Sequence, residues 1–466
     1  MSDAVPVNAS TPAAAPPLRE APLLPGVPLL GQLLALRRDP IGTFLRAAQI
    51  PSDVVRMQVG PRDVYLVRRP EHVKYVLQEN AGHFSKQTRG YDALRAILGN
   101  GLVTSEGAFW LRQRRLAQPA FHRQRIAQFA STMVDLTGQL LERWEKEAAR
   151  GGIVDLSQEM MALTLRVVGW TLLSTEIGPD SPVVAEALNE LLHQVMPRTT
   201  RLLQLPLSVP TPMNLALARA RRQLDGIVLR IIEERRRSGQ LGDDLLGMLM
   251  AARDEDTGEA MSDAQLRDEV MTIFLAGHET TANALTWTLY LLSQHPSVRA
   301  KLEAEVEAAL GNRTPRFEDL PQLGYVLAVI NESMRLYPPV WMLVRRVEVD
   351  EAVGGFRLPR GSFVAVSPLV MHRDPVLFPD PERFDPERFV GAAPNALPRF
   401  AFIPFSGGPR ICIGNGFALM EAQLVLSMIV QRFRLDLVPG HRVERDPAVT
   451  LRPKFGMRMT IAARRG

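Results

Sequence analysis

Phe405-Ser406-Gly407-Gly408-Pro409-Arg410-Ile411-Cys412-Ile413-Gly414 carries the only cysteine in a chain of 466 residues. Its glycines and proline keep the backbone irregular and let it approach a ligand closely. Residues 417–430 follow as a long apolar run with helical periodicity. Cys412 therefore stands near a helix N-terminus, whose partial positive charge favours a thiolate over a thiol. Arg410 adds positive charge to the same loop. Three readings are open for such a sulfur. A lone cysteine is most often a small buried hydrophobe. A nucleophilic thiolate would need a histidine base, and none of the eight histidines stands out as one. A haem iron can be held by a single thiolate. Zinc ribbons, most iron–sulfur clusters and intrachain disulfides need more than one cysteine.

Three patterns elsewhere place polar groups where they need a reason. Trp110-Leu111-Arg112-Gln113-Arg114 puts an indole and a guanidinium one turn apart on a helix face. Both are suited to an anionic oxygen. Residues 263–295 form the longest apolar helical run, and Ala276-Gly277-His278-Glu279-Thr280-Thr281 lies inside it. A threonine hydroxyl there can bond the carbonyl one turn back and bend the helix, and a glycine opens space. Glu332-Ser333-Met334-Arg335 is an acid–base pair at i,i+3. On a surface such a pair contributes little.

Phe405-x-x-Gly408-x-Arg410-x-Cys412-x-Gly414 resembles, at every fixed position, the haem-binding signature of the cytochrome P450 monooxygenases. The resemblance covers roughly residues 22–461 and opens on a proline-rich segment at 22–31. It implies the cytochrome P450 fold, mainly α with small β-sheets. It implies haem b with Cys412 as the iron ligand, Arg410 at a propionate, Phe405 shielding the sulfur and Gly414 closing the loop. Trp110, Arg114 and Arg345 would be further propionate contacts, with Arg346 as runner-up. The 276–281 stretch resembles the oxygen-binding motif. Ala276 and Gly277 would lie beside the cofactor, Thr280 would be the catalytic alcohol and Glu279 the acid. His278 falls at a variable position and is expected to be structural. Glu332 and Arg335 resemble an invariant buried pair whose third member is the arginine of a Pro-x-Arg-Phe segment. Of Pro381-Glu382-Arg383-Phe384 and Pro386-Glu387-Arg388-Phe389, the second occupies the family position and points to Arg388. Phe274, Ala276, Val340, Leu343, the 91–103 loop and Phe455-Gly456 would line an apolar substrate pocket.

Hydrophobic residues are 46% and charged residues 23%, ordinary for a soluble globular protein. A net charge of +5 is too small at this length to imply nucleic acid. Residues 1–20 lack a basic stretch followed by an apolar one, which excludes a signal peptide. They are expected to be a disordered tail ahead of a single haem-thiolate domain over 21–466. No stretch reaches the ~18–20 apolar residues of a membrane span, so no membrane anchor is expected. Periodicity predicts helices over 40–50, 71–80, from 107, and over 123–150, 157–174, 183–197, 214–238, 263–295 and 321–336. It predicts a hairpin over 54–67 and short strands over 340–349, 354–358, 362–367, 434–438 and 450–461.

The resemblance implies a cytoplasmic, monomeric enzyme that inserts one atom of dioxygen into a hydrophobic small molecule. Hydroxylation or epoxidation of a fatty acid, terpenoid or polyketide is the expected reaction. Electrons would come from a ferredoxin or flavodoxin and its NAD(P)H reductase. Arg112, Arg115, Arg123 and Arg125 would offer such a partner a basic face. A peroxygenase or isomerase on the same fold, or a haem-based sensor, is the alternative. The intact Glu279–Thr280 pair and the lack of a recognisable sensor domain weigh against both.

Overall fold

The computed structural model describes residues 17–174, 206–239, 241–242, 244–254, 258–391 and 396–464, with scattered positions between 184 and 199. The helix expected over 183–197 falls largely outside them. Six helices position the site: α1 (Gly107–Ala117), α2 (Ala130–Ala149), α3 (Leu156–Leu173), α4 (Asp263–Gln294), α5 (Gly324–Leu336) and α6 (Asn415–Arg432). Seven strands matter here: β1 (Val54–Val59), β2 (Arg62–Val67), β3 (Phe84–Ser85), β4 (Leu343–Val347), β5 (Phe363–Val366), β6 (Arg445–Pro447) and β7 (Leu451–Pro453). The first five form one sheet in the order β1-β2-β5-β4-β3. The β1–β2 hairpin turns at Gly60, whose φ of +59° suits glycine. β6 and β7 pair antiparallel as a separate hairpin. The mainly helical fold with small sheets is the expected one.

Helix α4 is the axis of the molecule. Ser262 and Gln265 close a capping box at its start, and Pro296 follows its end. At 32 residues it is about 48 Å long. Apolar residues lie almost all round it, as in a helix sunk in a core. Leu285, Trp287 and Leu292 join α2, α5 and α6 in one apolar cluster, and Leu266, Phe274 and Leu275 join α3 in another. Gly277 lets α3 come close: a β-carbon there would stand 3.0 Å from Val168 Cγ2.

Three expected boundaries move. The ordered chain does not wait for residue 21: Arg19 N–H donates to Gly355 O at 2.9 Å, and its guanidinium lies over the Phe356 ring. The run at 123–150 is two helices, Arg123–Gln128 and α2, broken at Phe129. The helix expected from residue 321 starts at Gly324 instead, because Pro321 sits in a preceding 3-10 turn, Phe317–Gln322.

Candidate functional site

The Cys412 loop is held from both sides. Cys412 N–H donates to Phe405 O at 3.0 Å, closing the loop on itself. Gly408 has φ +68°, and a β-carbon there would lie 1.9 Å from Leu77 O. No other residue fits that position. Arg114 Nη1 reaches from α1 to Ile411 O at 2.9 Å. The guanidinium of Arg410 stacks 4.1 Å from the centre of the Trp110 ring. Helix α6 begins three residues after the sulfur, with Gly414 as its N-cap.

In the protein alone, burial opposes the thiolate that the helix N-terminus favours. Burial pushes the Cys412 thiol up, and the Gly414 N–H and Arg114 only partly oppose it. Desolvation outweighs half a charge from a helix end. Cys412 nevertheless keeps exposed surface while protein surrounds it. It therefore opens on an internal recess.

Helix α4 opens in the same way. Ala276 is exposed and Thr280 half-buried, whereas 271–275 and 281–289 are buried throughout. The two share a face at i,i+4. Thr280 Oγ1 donates to Ala276 O at 2.6 Å, the back-bond expected of a threonine in this setting. Its hydroxyl must leave that carbonyl before it can donate into the recess. Burial raises the Glu279 carboxyl, against the Thr450 hydroxyl and Arg452. His278 is pushed down to about 4 by burial and is neutral. Its carbonyl takes the Thr164 hydroxyl at 2.9 Å, and its buried Nδ1 has no hydrogen-bond partner among the described residues.

One pocket expectation on α4, Phe274, and one on the C-terminal hairpin, Phe455, point away from the Ala276–Thr280 face. Phe274 lies about 200° from Ala276 around the helix and packs with Leu172, Leu245 and Leu249. Gly277 serves the contact with Val168 described above. Phe455 sits on the surface between Arg442 and Lys454, 5.0 and 5.4 Å from its ring centre. The residue of that hairpin that turns inward is Val449, which packs against the α3–α4 cluster. Its neighbours tie the hairpin to the 339–341 segment: Leu451 N–H donates to Pro339 O and Trp341 Nε1 to Ala448 O. Val340 is half-buried and Leu343 buried on that segment. Nothing in a short Pro-Ala-Val turn marks Val449 without the fold.

Glu332 and Arg335 form a fully buried bidentate pair at 2.6 and 2.7 Å. Arg388 Nε stands 3.6 Å from Glu332. Arg383 contributes only its carbonyl, to Arg335 at 2.9 Å. The choice of Arg388 over Arg383 agrees with this geometry.

The family profile for cytochrome P450 matches residues 22–457. Cyclooctatin synthase of Streptomyces melanosporofaciens is 40% identical over 91% of this chain and 92% of its own. The same organism's cyclooctat-9-en-7-ol 5-monooxygenase is 40% identical over 89% of both chains. Pentalenene oxygenase of Streptomyces avermitilis is 35% identical over 94% and 96%. The crystal structure of the cytochrome P450DA heme domain superposes with a TM-score of 0.88 at 29% identity, covering 97% of this chain and 99% of that one.

The chain is a cytochrome P450. It is a monooxygenase, with haem b as cofactor and dioxygen as co-substrate. When bound, haem supplies the iron at which a thiolate ligand favours O–O cleavage. The residues of this P450 fit that group. Among the described residues no three His, Cys, Asp or Glu side chains gather as a metal site. Cys412 would hold the haem iron through its sulfur, with the porphyrin supplying further ligands.

The charge balance beside the recess also fits. Lys86, Arg345 and Arg410 are close enough that each Arg lowers the Lys86 ammonium, which burial already pushes far down. Arg345 Nη1 donates to the Tyr91 hydroxyl at 3.1 Å. Arg410 donates to Ser105 O at 2.9 Å and pairs with Glu106 at 3.2 Å. Two arginines and a lysine whose charged form burial disfavours face one carboxylate there, and buried excess charge is costly unless anions meet it. Two haem propionates would supply them. Arg114, also expected at a propionate, donates from Nη1 to Ile411 O at 2.9 Å in the Cys412 loop.

Lys86 is the residue that sequence reading missed, because a lone lysine after a short strand carries no signal. Lys86→Met is expected to release haem to apomyoglobin about 10- to 150-fold faster, the equivalent of one charge-assisted bond of about 1.5–3 kcal/mol. A thermal melt of the haem-free variant separates this from a fold effect, since Lys86 Nζ also donates to Val103 O at 2.8 Å and lies over the Tyr91 ring. A variant that keeps haem as tightly as the parent would remove Lys86 from the propionate set.

Proposed function

We propose that this P450 oxidises a cyclic terpenoid, with electrons from a separate ferredoxin or flavodoxin and its NAD(P)H reductase, in the cytoplasm. The observation that carries the reading is exposed surface at two motifs inside the fold: Cys412 on its loop, and Ala276 with half-buried Thr280 on the otherwise buried middle of α4. Val340 and Val449, on segments tied together by the Leu451–Pro339 and Trp341–Ala448 hydrogen bonds, are apolar, as is the nearby Leu343. A site of that kind recognises a substrate by shape and dry surface more than by polar handles. Relatives 35–40% identical over about nine-tenths of the chain carry names such as cyclooctat-9-en-7-ol 5-monooxygenase and pentalenene oxygenase, which favours a fused-ring hydrocarbon or its alcohol over a linear acid. Spectral-shift titration of the purified holoenzyme with cyclic terpenes, fatty acids, steroids and macrolides tests this. Tight shifts confined to fatty acids or macrolides would overturn it.

Thr280 and Glu279 are the proposed catalytic pair. Thr280 faces the recess and holds the proton donor for dioxygen reduction; Glu279, 100° round the helix, replenishes it. Thr280→Ala should leave haem and thiolate spectra unchanged and keep NADPH consumption. Product per NADPH should fall by about tenfold or more, with the electrons appearing as hydrogen peroxide. Full coupling in that variant would assign the hydroxyl to the substrate instead.

The expected basic face shrinks. Arg112 and Arg115 are neutralised by Asp254, at 3.5 and 3.4 Å, and Arg112 also by Glu259. Arg123 and Arg125 are exposed. They are the remaining cations through which an acidic electron carrier would dock.

A further inference from the structure

Glu279 lies at the inner end of a second polar stripe. Glu279, Asn283 and Trp287 recur at i, i+4 and i+8 on α4 and so share one face. All three meet the β6–β7 hairpin. Thr450 and Arg452 lie beside Glu279, Asn283 Nδ2 donates to Thr450 Oγ1 at 3.0 Å, and Trp287 Nε1 donates to Leu451 O at 2.9 Å. Trp287 then forms the wall of a surface cleft of about 920 Å³, together with Tyr290, Tyr337 and Asp446. Arg452 Nε bridges inward from that wall to Asp446 at 2.9 Å. Asp446 is about a third exposed and Arg452 largely covered.

The stripe also has unmet hydrogen-bonding capacity. Glu279 is 2% exposed and Asn283 0%. Glu279 Oε1 and Asn283 Oδ1 have no hydrogen-bond partner among the described residues. Buried groups of that kind are satisfied by internal water. The Glu279 carboxyl, the Thr450 hydroxyl and, past Arg452, the Asp446 carboxylate at the cleft thus lie on one side of α4.

We propose that Glu279 regains its proton from this cleft, through the Thr450 hydroxyl and past the Arg452–Asp446 pair, rather than through the substrate recess. Each proton that Glu279 passes toward Thr280 is replaced by one that enters as Thr450 accepts from the cleft side and donates inward. Asp446 collects protons at the mouth. Arg452 is a positioning residue that holds Asp446 against the hairpin. The inference rests on the reading of Glu279 as the catalytic acid.

The test follows the Glu279 carboxyl itself. In the holoenzyme, the infrared carboxylic-acid band that disappears in Glu279→Gln should exchange rapidly on mixing with deuterated buffer. In Thr450→Val, with its thiolate spectrum intact, exchange should slow by about tenfold or more. Thr450→Ser should restore it, and Asp446→Asn should fall between. NADPH-driven oxygen reduction should slow in parallel, with a larger solvent isotope effect. 4-Phenylimidazole, which ligates the iron and plugs the recess, should leave exchange fast. Unchanged exchange in Thr450→Val, slowed exchange with 4-phenylimidazole, or no Glu279 acid band at any pH where the enzyme stays folded would each overturn the route. Normal oxygen reduction in Glu279→Gln would instead overturn the role of Glu279 on which the route rests.

Discussion

Cys412→Ala abolishes the thiolate-type red-shifted Soret band of the ferrous carbon monoxide complex and, with it, monooxygenase turnover. The expectation follows from the geometry of the loop. The sulfur is presented by a backbone that only glycine permits at Gly408, closed by the Cys412–Phe405 hydrogen bond at 3.0 Å and capped by α6. No other cysteine exists to replace it. In the protein alone burial raises the thiol, so the thiolate is a product of ligation, since a thiol that coordinates a metal is deprotonated outright. The cations Lys86, Arg345 and Arg410 do not touch the sulfur, so the variant should still take up haem, less tightly. Carbon monoxide difference spectroscopy of the folded, haem-loaded variant checks this. A surviving red-shifted band would move the iron ligand away from Cys412.

Glu332→Ala should prevent recovery of soluble, haem-loaded enzyme. Glu332 and Arg335 are 0% exposed, and burial raises the Glu332 carboxyl in spite of Arg335 beside it. A buried pair of this kind adds little net stability but is costly to break, at about 3–5 kcal/mol, because one charge is left alone. Net stabilities are about 5–15 kcal/mol, so the loss is a large share of the whole. Arg335 also donates to the carbonyls of His372, Pro381 and Arg383 at 2.8, 2.6 and 2.9 Å, and Glu332 takes the Asp385 N–H at 2.8 Å. An apolar double replacement would orphan those backbone groups and should not rescue the fold. Glu332→Gln, which keeps an acceptor, should be milder. Yield of carbon monoxide-binding protein and the thermal melt measure the effect. A Glu332→Ala enzyme melting within a few degrees of the parent would mean that the pair is dispensable.

The readable part of the site was the part written in consecutive residues. The loop around Cys412, the Ala276–Thr280 face and the Glu332–Arg335 spacing each place their side chains within one turn or one loop. Local geometry there follows from the order of residues. The unreadable part joins distant segments. Lys86 meets Arg345 and Arg410 only because β3 pairs with β4 and the Cys412 loop packs beside them. Arg112 and Arg115 looked like a basic docking face until Asp254, far along the chain, came up against them.

The pocket shows the same division. Sequence placed Phe274 and Phe455 in it because both are apolar and near the right motifs. Helical phase turned Phe274 onto α3, and the hairpin carried Phe455 to the surface and Val449 inward. From sequence alone came the family, the proposed thiolate ligand and acid–alcohol pair, and the choice of Arg388, which stands 3.6 Å from Glu332, since a long motif constrains chemistry at fixed spacing. Only the tertiary structure showed the burial of Cys412, the charged neighbours of Lys86 and the meeting of Glu279 with the C-terminal hairpin. Those depend on burial and on neighbours hundreds of residues away, and desolvation acts on position in space.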